Sequence, residues 1–337
     1  MADAVAGTSI GITFVDPGLE SAVQTTLAAV ERRLYAAVTS GDPLVAEAAR
    51  HLVDAGGKRF RPLLTAIAAE FGSGGGPEVV LSATVVELTH LATLYHDDVM
   101  DEAEVRRGAP SANARWGNSI AILVGDFLFA RAADLAAQLG AEAVRIQAET
   151  FARLVHGQIA ETVGPRQADP VGHYLHVISE KTGSLIATSA RFGARYAGLP
   201  AGQVDALARY GQTMGVAFQL SDDLLDIASE SEQSGKTPGT DLREGVPTLP
   251  VLYALAGDEA DPDAVRLREL LSAGPVTDDT LHAEALGLLR DSVAVKRARE
   301  TVRAYAERAR AELAPLPAVP ARSALESVCD FIADRTA

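Results

Sequence analysis

Apolar residues along this chain recur at intervals of three and four, the spacing that lines one face of an α-helix. The pattern predicts helices over about Gly18–Thr39, Leu44–Ala55, Pro62–Phe71, Glu78–Asp101 and Ser119–Leu139. It continues over Ala141–Thr162, Val171–Lys181, Ser184–Tyr196, Gln203–Ala228 and Leu249–Ala256, with further helices to about Asp334. No run alternates β-branched and polar residues between turns, so no strands are expected. Glycine and proline clusters separate the segments, at Gly41–Pro43, Gly56-Gly57, Gly72–Pro77, Gly164-Pro165 and Gly198–Pro200. Two long connections, Glu102–Gly117 and Ser229–Pro247, follow acidic helix ends, and loops of that length beside chemistry are commonly lids. No low-complexity linker divides the chain. The pattern predicts one all-α helical bundle, a single domain over residues 1–337.

The polar exceptions at two helix ends change the picture. Leu94-Tyr-His-Asp-Asp-Val-Met-Asp101 carries Asp97, Asp98 and Asp101. Asp97 and Asp101 are four apart and share a helix face, with Asp98 about 100° round. Three carboxylates so close repel one another, and a divalent cation is the common remedy. Hard oxygen ligands suit Mg²⁺, which takes one or two carboxylates and leaves its other positions to water and phosphates. The same spacing returns at Phe218-Gln-Leu-Ser-Asp-Asp-Leu-Leu-Asp226, with Asp222, Asp223 and Asp226. A solvated acidic helix end explains one such cluster, but not two at identical spacing.

Hydrophobic residues make up 47% of the 337, enough for a sizeable core. The net charge of −15 argues against nucleic-acid binding and against a permanent hold on anionic membrane. Local basic clusters are therefore the informative feature. The single cysteine, Cys329, allows neither an intrachain disulfide nor a thiolate metal site. The start, Met1–Gly7, lacks a basic and apolar signal pattern, and no stretch reaches about eighteen uninterrupted apolar residues. The cytoplasm is the expected location.

Gly56-Gly-Lys-Arg-Phe-Arg-Pro62 puts Lys58, Arg59 and Arg61 on a glycine turn that feeds a helix, a setting that attracts anions. Arg106 and Arg107 follow Asp101; they can fork onto phosphate or simply neutralise the aspartates. His90 lies two turns before Asp97 on the same face, whereas His96 reads as a boundary residue. Lys181-Thr182-Gly183 interrupts a helical pattern and can turn a cation and a hydroxyl inward. Lys236 sits in the loop after the second cluster. With no nucleophilic elbow and no P-loop, the set points to a phosphorylated substrate held through Mg²⁺.

Together these pieces resemble the trans-isoprenyl diphosphate (polyprenyl) synthases. The resemblance rests on GGKRFRP at Gly56, HDDVMDEAEVRRG at His96, EKTG at Glu180, QLSDDLLD at Gln219 and GKTPGTDLREG at Gly235, in the family's order. It implies the isoprenoid synthase fold, with both Asp motifs facing a central cavity, and a homodimer. It also implies a reaction in which an allylic diphosphate, bridged by Mg²⁺ ions, ionises and isopentenyl diphosphate attacks the resulting cation. Asp97, Asp101 and Asp222 match the main metal ligands, and Asp98, Asp223 and Asp226 match supporting ones. Lys58, Arg61, His90 and Arg107 match the isopentenyl diphosphate site. Arg106, Lys181 and Lys236 match cations on the allylic diphosphate, and Thr182 and Gln219 match polar groups near the developing charge. One departure stands out: Glu244-Gly-Val246 replaces the E-G-K of many relatives, which removes one cation on the allylic side.

The helix into Asp97 also acts as a ruler. At 1.5 Å per residue, the run back to Glu78 is roughly 29 Å deep. Ala92, with Thr93 beside it, lies roughly 7.5 Å below Asp97, where short-chain relatives often place an aromatic ring. This first floor is open, so the expected product is a long-chain all-trans polyprenyl diphosphate of thirty carbons or more, released through transient membrane contact. A short-chain farnesyl or geranylgeranyl synthase, a class I terpene cyclase and a non-catalytic partner subunit are the rival readings. They are met in turn by open Ala92, by the isopentenyl site and by two intact Asp motifs. Ala92→Tyr is expected to shorten the product, and chromatography of dephosphorylated products checks it; an unchanged length would remove the ruler.

Overall fold

Side-chain caps and prolines set where many of the helices begin. Asp16 accepts from the Leu19 amide at the start of α1 (Pro17–Ala37), and Asp42 from Leu44 and Val45 at the start of α2 (Pro43–Asp54). The computed structural model describes residues 12–167, 169–228, 238–257 and 261–335. In chain order the next helices are α3 (Phe60–Ala69), α4 (Pro77–Met100), α5 (Ala112–Trp116), α6 (Asn118–Gln138), α7 (Ala141–Val163) and α8 (Pro170–Ile178). A π-helical turn (Ser179–Gly183) leads into α9 (Ser184–Tyr196), then α10 (Ala201–Ala228), α11 (Thr240–Glu244) and α12 (Leu249–Ala256). The chain ends with α13 (Pro262–Ser272), α14 (Asp279–Asp291), α15 (Val293–Glu312) and α16 (Pro320–Asp334). The fold is all-α, and its contacts group into two compact units.

The first unit comprises the described parts of Met1–Arg153, with Leu185–Gly211 and Glu312–Val328. Its centre is α4, packed by α1, α3 and α6. Val79, Val86, Leu88, Leu91, Ala92 and Tyr95 are all fully buried, so α4 is apolar nearly all round, the mark of a core helix. The buried Tyr95 hydroxyl donates to the Ala48 carbonyl (2.5 Å) and accepts from the Leu52 amide (3.3 Å), pinning α4 to α2.

The connection Glu102–Gly117 is more ordered than a loop. Val105–Arg106 pairs antiparallel with Ala109–Pro110, and α5 follows. The two turn residues, Arg107 and Gly108, both have positive φ (54° and 77°), as a tight two-residue hairpin requires. The expectation of no strands is corrected here. A two-residue ladder carries no periodicity, and arginine at the first turn position is not a usual hairpin signal.

Arg59, just before α3, also has positive φ (47°), which turns its side chain away from Arg61 and into the unit. Its guanidinium bonds Glu31 (2.9 Å) and Glu87 (3.1 Å). The Glu87 side chain is 2% exposed, so without Arg59 it would be a buried charge that has lost its hydrogen-bonded cation.

The second unit comprises Leu154–Ser184, Gln212–Ala311 and Cys329–Ala337 in their described parts. Here α12 packs on α8, α13 and α14. The π-turn inserts one extra residue into the helical register, and Gln212 answers it. The Gln212 amide donates to the Ser179 carbonyl (2.7 Å) and hydroxyl (2.9 Å). Gly157 of α7 lies against the same turn; a methyl group there would sit 2.7 Å from the Lys181 amide nitrogen. Arg59→Ala is expected to destabilise the protein by about 3 kcal/mol, because it strands Glu87. Denaturant unfolding checks this, with Arg50→Ala at the exposed Arg50–Asp54 pair as a near-silent comparison.

Candidate active site

In the first unit, distant stretches of sequence converge on one basic pocket. The Arg107 guanidinium donates to the Leu52 carbonyl (3.0 Å) and to the Gly56 carbonyl. It crosses directly over Gly57, whose φ is 142° and where a methyl group would lie 2.8 Å from the guanidinium carbon. The glycine turn is therefore shaped by Arg107 as well as by its own backbone. Lys58 is exposed on that turn. Arg61, in the first turn of α3, has its Nε buried without a partner.

The electrostatics show how close these groups lie. Burial pushes the Arg61 guanidinium down to about 10, with Glu87 opposing and Arg107 adding to the fall. Burial also lowers Arg107, with Arg59 and Arg106 acting in the same direction and Glu87 against them. His90, half-buried by area but enclosed by protein atoms, is held well below the usual imidazole range. Burial is the first cause, followed by the charges of Arg61, Arg107, Arg59 and Arg106. Such a pocket is short of negative charge and suits an anion with several acceptor oxygens.

The first aspartate cluster ends α4. Asp98 is fully buried; its Oδ1 accepts from Arg106 Nε (2.6 Å) and Nη2 (2.5 Å), and its Oδ2 is buried without a partner. Burial raises its pKa and Arg106 opposes the rise. Of the arginine pair, Arg106 thus neutralises an aspartate, whereas Arg107 joins the pocket. Asp97 is half-buried and Asp101, the helix cap, is exposed. Ala92 is buried close to Gly125 of α6, and Thr93 is half-buried, its hydroxyl donating to the His90 carbonyl (2.8 Å). His96 reaches Asp126 (3.4 Å) and the Phe129 ring on α6, a boundary residue as its sequence setting suggests.

The second cluster is held differently. The Asp223 carboxyl is 7% exposed; Oδ1 accepts from Gln219 (2.9 Å) and Oδ2 from the Tyr174 hydroxyl. Burial is the main cause that raises its pKa to about 6. Asp226 accepts from the amides of Thr240 (3.3 Å) and Asp241 (3.1 Å), and so caps α11. Asp222 pairs with Arg335 (2.5 Å), and its side chain keeps 42% exposure. Lys181 and Thr182 ride on the π-turn; Lys181 pairs with Glu161 (2.5 Å) and Thr182 donates to Gln219 (3.2 Å). Lys236 lies outside the described residues. Val246 is exposed.

Among the described residues, no three or more His, Cys, Asp or Glu side chains close a metal cage. The donors offered are carboxylate oxygens on half-exposed or exposed aspartates, which fit Mg²⁺ where a phosphorylated ligand supplies further oxygens. Cages built wholly from protein belong to other metals.

Residues 42–288 match the family model described as Polyprenyl synthetase. The chain belongs to the polyprenyl synthetase family. It is 51% identical to a nonaprenyl diphosphate synthase of Mycobacterium tuberculosis, over 99% of this chain and 98% of that protein. It is 44% identical to a dimethylallyltranstransferase of the same organism, over 95% and 97%. A crystal structure of geranylgeranyl pyrophosphate synthase from Corynebacterium glutamicum, complexed with calcium and isoprenyl diphosphate, superposes with TM-score 0.87 at 46% identity, covering 96% of this chain and 99% of that one. As a polyprenyl synthetase the chain is a prenyltransferase.

This synthetase uses residues that its motifs do not announce. Tyr174, Gln212 and Arg335 hold the second cluster and the π-turn, yet none lies in a motif. Tyr174 stands seven before Lys181, a two-turn spacing that could have drawn notice; Arg335, 113 residues from Asp222, gives no local signal. In the ligand-free protein, His90 is expected to take up a proton only well below the usual imidazole range. The unfolded chain would take a proton near pH 6.5 that the folded chain refuses, so this residue lowers stability as pH falls below about 6.5. Imidazole NMR resonances of His90 that titrate with a midpoint well below 6.5 check it.

Proposed function

We propose that this prenyltransferase condenses isopentenyl diphosphate with an allylic diphosphate and extends the product to long chains. The observation that carries the assignment of sites is the arginine pair, with Arg107 crossing Gly57 on the carbonyls of Leu52 and Gly56 and Arg61 holding a buried Nε that no partner meets. Their pocket has the chemistry of a diphosphate site, with the exposed Lys58 at its mouth. Arg107 is pre-aimed by two backbone carbonyls, so little side-chain freedom is lost on binding. His90, its proton affinity lowered chiefly by burial, adds a ring nitrogen that can hydrogen-bond a diphosphate.

Asp97, Asp101 and Asp222 are the carboxylates we assign to Mg²⁺, supported by Asp98, Asp223 and Asp226. When bound, Mg²⁺ would supply Lewis-acid charge neutralisation on the allylic diphosphate. Lys181 on the π-turn, Arg106 and Lys236 add positive charge for the same group, and Thr182 and Gln219 place oxygen dipoles near the charge that develops on carbon. We assign the final proton to the released diphosphate.

Long products are supported by the nonaprenyl relative and by the small side chain at Ala92. A homodimer is supported by exposed Ile122 and Leu123 on α6 and by Val144 and Phe151 on α7, all in the first unit. Among the described residues no helix is long and apolar enough to cross a membrane, in keeping with a cytoplasmic enzyme whose contact with lipid is transient. We read the two units as working parts of one catalytic domain.

The test is a product ladder. Purified protein, Mg²⁺, labelled isopentenyl diphosphate and geranyl, farnesyl or geranylgeranyl diphosphate are expected to give chains of thirty carbons or more. A stop at fifteen or twenty carbons would keep the reaction and overturn the length. No incorporation with any primer would overturn the reaction itself.

A further inference from the structure

We propose that Tyr174 is a positioning residue for the second aspartate cluster: its hydroxyl holds Asp223 and, through Asp223, orients Gln219 and Thr182. Three observations lead there. First, Asp223 is too buried for water to serve both oxygens, and each has one protein donor. Oδ2 takes the Tyr174 hydroxyl and Oδ1 takes Gln219 Nε2 at 2.9 Å. Secondly, an amide side chain has an oxygen end and a nitrogen end. With Nε2 committed to a carboxylate, Oε1 must face the other way, and there it accepts from Thr182 Oγ1 at 3.2 Å. The reverse flip would set the amide oxygen against Asp223. The carboxylate therefore selects the face that Gln219 shows to Thr182.

Thirdly, Tyr174 belongs to α8, which runs directly into the π-turn carrying Lys181 and Thr182. The segment is pinned to α10 twice. Tyr174 pins it at Asp223, and the Ser179 carbonyl and hydroxyl pin it at Gln212. A π-turn has a spare residue and a choice of register; two pins five residues apart leave it one. Tyr174 touches none of the groups proposed to meet substrate except through Asp223 and this segment. The inference rests on the reading of the second cluster as a Mg²⁺–diphosphate site.

The test uses the full chain, Mn²⁺ as a paramagnetic probe, and inorganic diphosphate. Diphosphate-dependent Mn²⁺ binding is measured in wild type, Tyr174→Phe, Asp223→Asn, the double variant and Asp222→Asn. Tyr174→Phe is expected to weaken binding about tenfold, with a cooperative thermal transition retained at a lower midpoint because Asp223 loses one donor. In the Asp223→Asn background the same change is expected to add nothing, because Tyr174 acts through that carboxylate. In turnover, the KM for the allylic primer is expected to rise more than that for isopentenyl diphosphate. Unchanged binding in Tyr174→Phe, or losses that multiply in the double variant, would overturn the proposal. Should Tyr174→Phe not fold, Gln219→Met cuts the same chain at its middle and is expected to weaken binding similarly; unchanged binding there would also overturn it. Asp222→Asn separates the two readings. If it abolishes binding while Tyr174→Phe leaves binding unchanged, positioning alone fails; if it too binds normally, the metal assignment fails.

Discussion

A carboxylate without water has to be answered by a donor, and this requirement organises both acidic helix ends. At the middle position of each cluster the aspartate is buried: Asp98 at no exposure and Asp223 at 7%. The first is answered by Arg106 and the second by Tyr174 and Gln219. Each answer ties a neighbouring element to the cluster. Arg106 anchors the hairpin after α4, and Tyr174 anchors α8. The outer aspartates can then be presented to solvent because the middle ones are fixed. An unpaired buried carboxylate would be strongly destabilising, so neither anchor can be lost without rearrangement around it.

The basic pocket shows the opposite arrangement. Arg61, Arg107 and His90 are drawn together in the interior; burial is the first cause that lowers proton affinity on all three, and neighbouring arginines add to it. Arg59, identical in type and two residues from Arg61, is instead bound by Glu31 and Glu87, although its charge still bears on Arg107 and His90. The fold thus sorts neighbouring arginines into one that holds structure and one that waits for an anion. An anionic ligand relieves the repulsion and gains affinity from work already done in folding.

Much of this was legible in the chain before any coordinates. Helical periodicity located the helices to within a few residues, because each buries a broad apolar face. The two aspartate clusters, Asp97, Asp98 and Asp101 and Asp222, Asp223 and Asp226, stood out by their repeated spacing. The division of labour between Arg106 and Arg107, or between Arg59 and Arg61, was not legible, since composition does not record a backbone torsion. The hairpin escaped because two paired residues make no pattern. Arg335 escaped because its partner is more than a hundred residues away. The π-turn lies between these cases: the break in pattern at Lys181-Thr182-Gly183 was visible, but the extra residue that causes it was not.

The passage of Arg107 over Gly57 has a consequence for how such a chain can change over generations. Neither position is free to drift alone. Any side chain at Gly57 collides with the guanidinium, and the guanidinium cannot step aside without abandoning the carbonyls of Leu52 and Gly56. A lineage could widen position 57 only after shortening position 107, and that first step would empty part of the anion pocket. The two residues form a ratchet: the order of substitutions is dictated by sterics, and the intermediate is the less fit form.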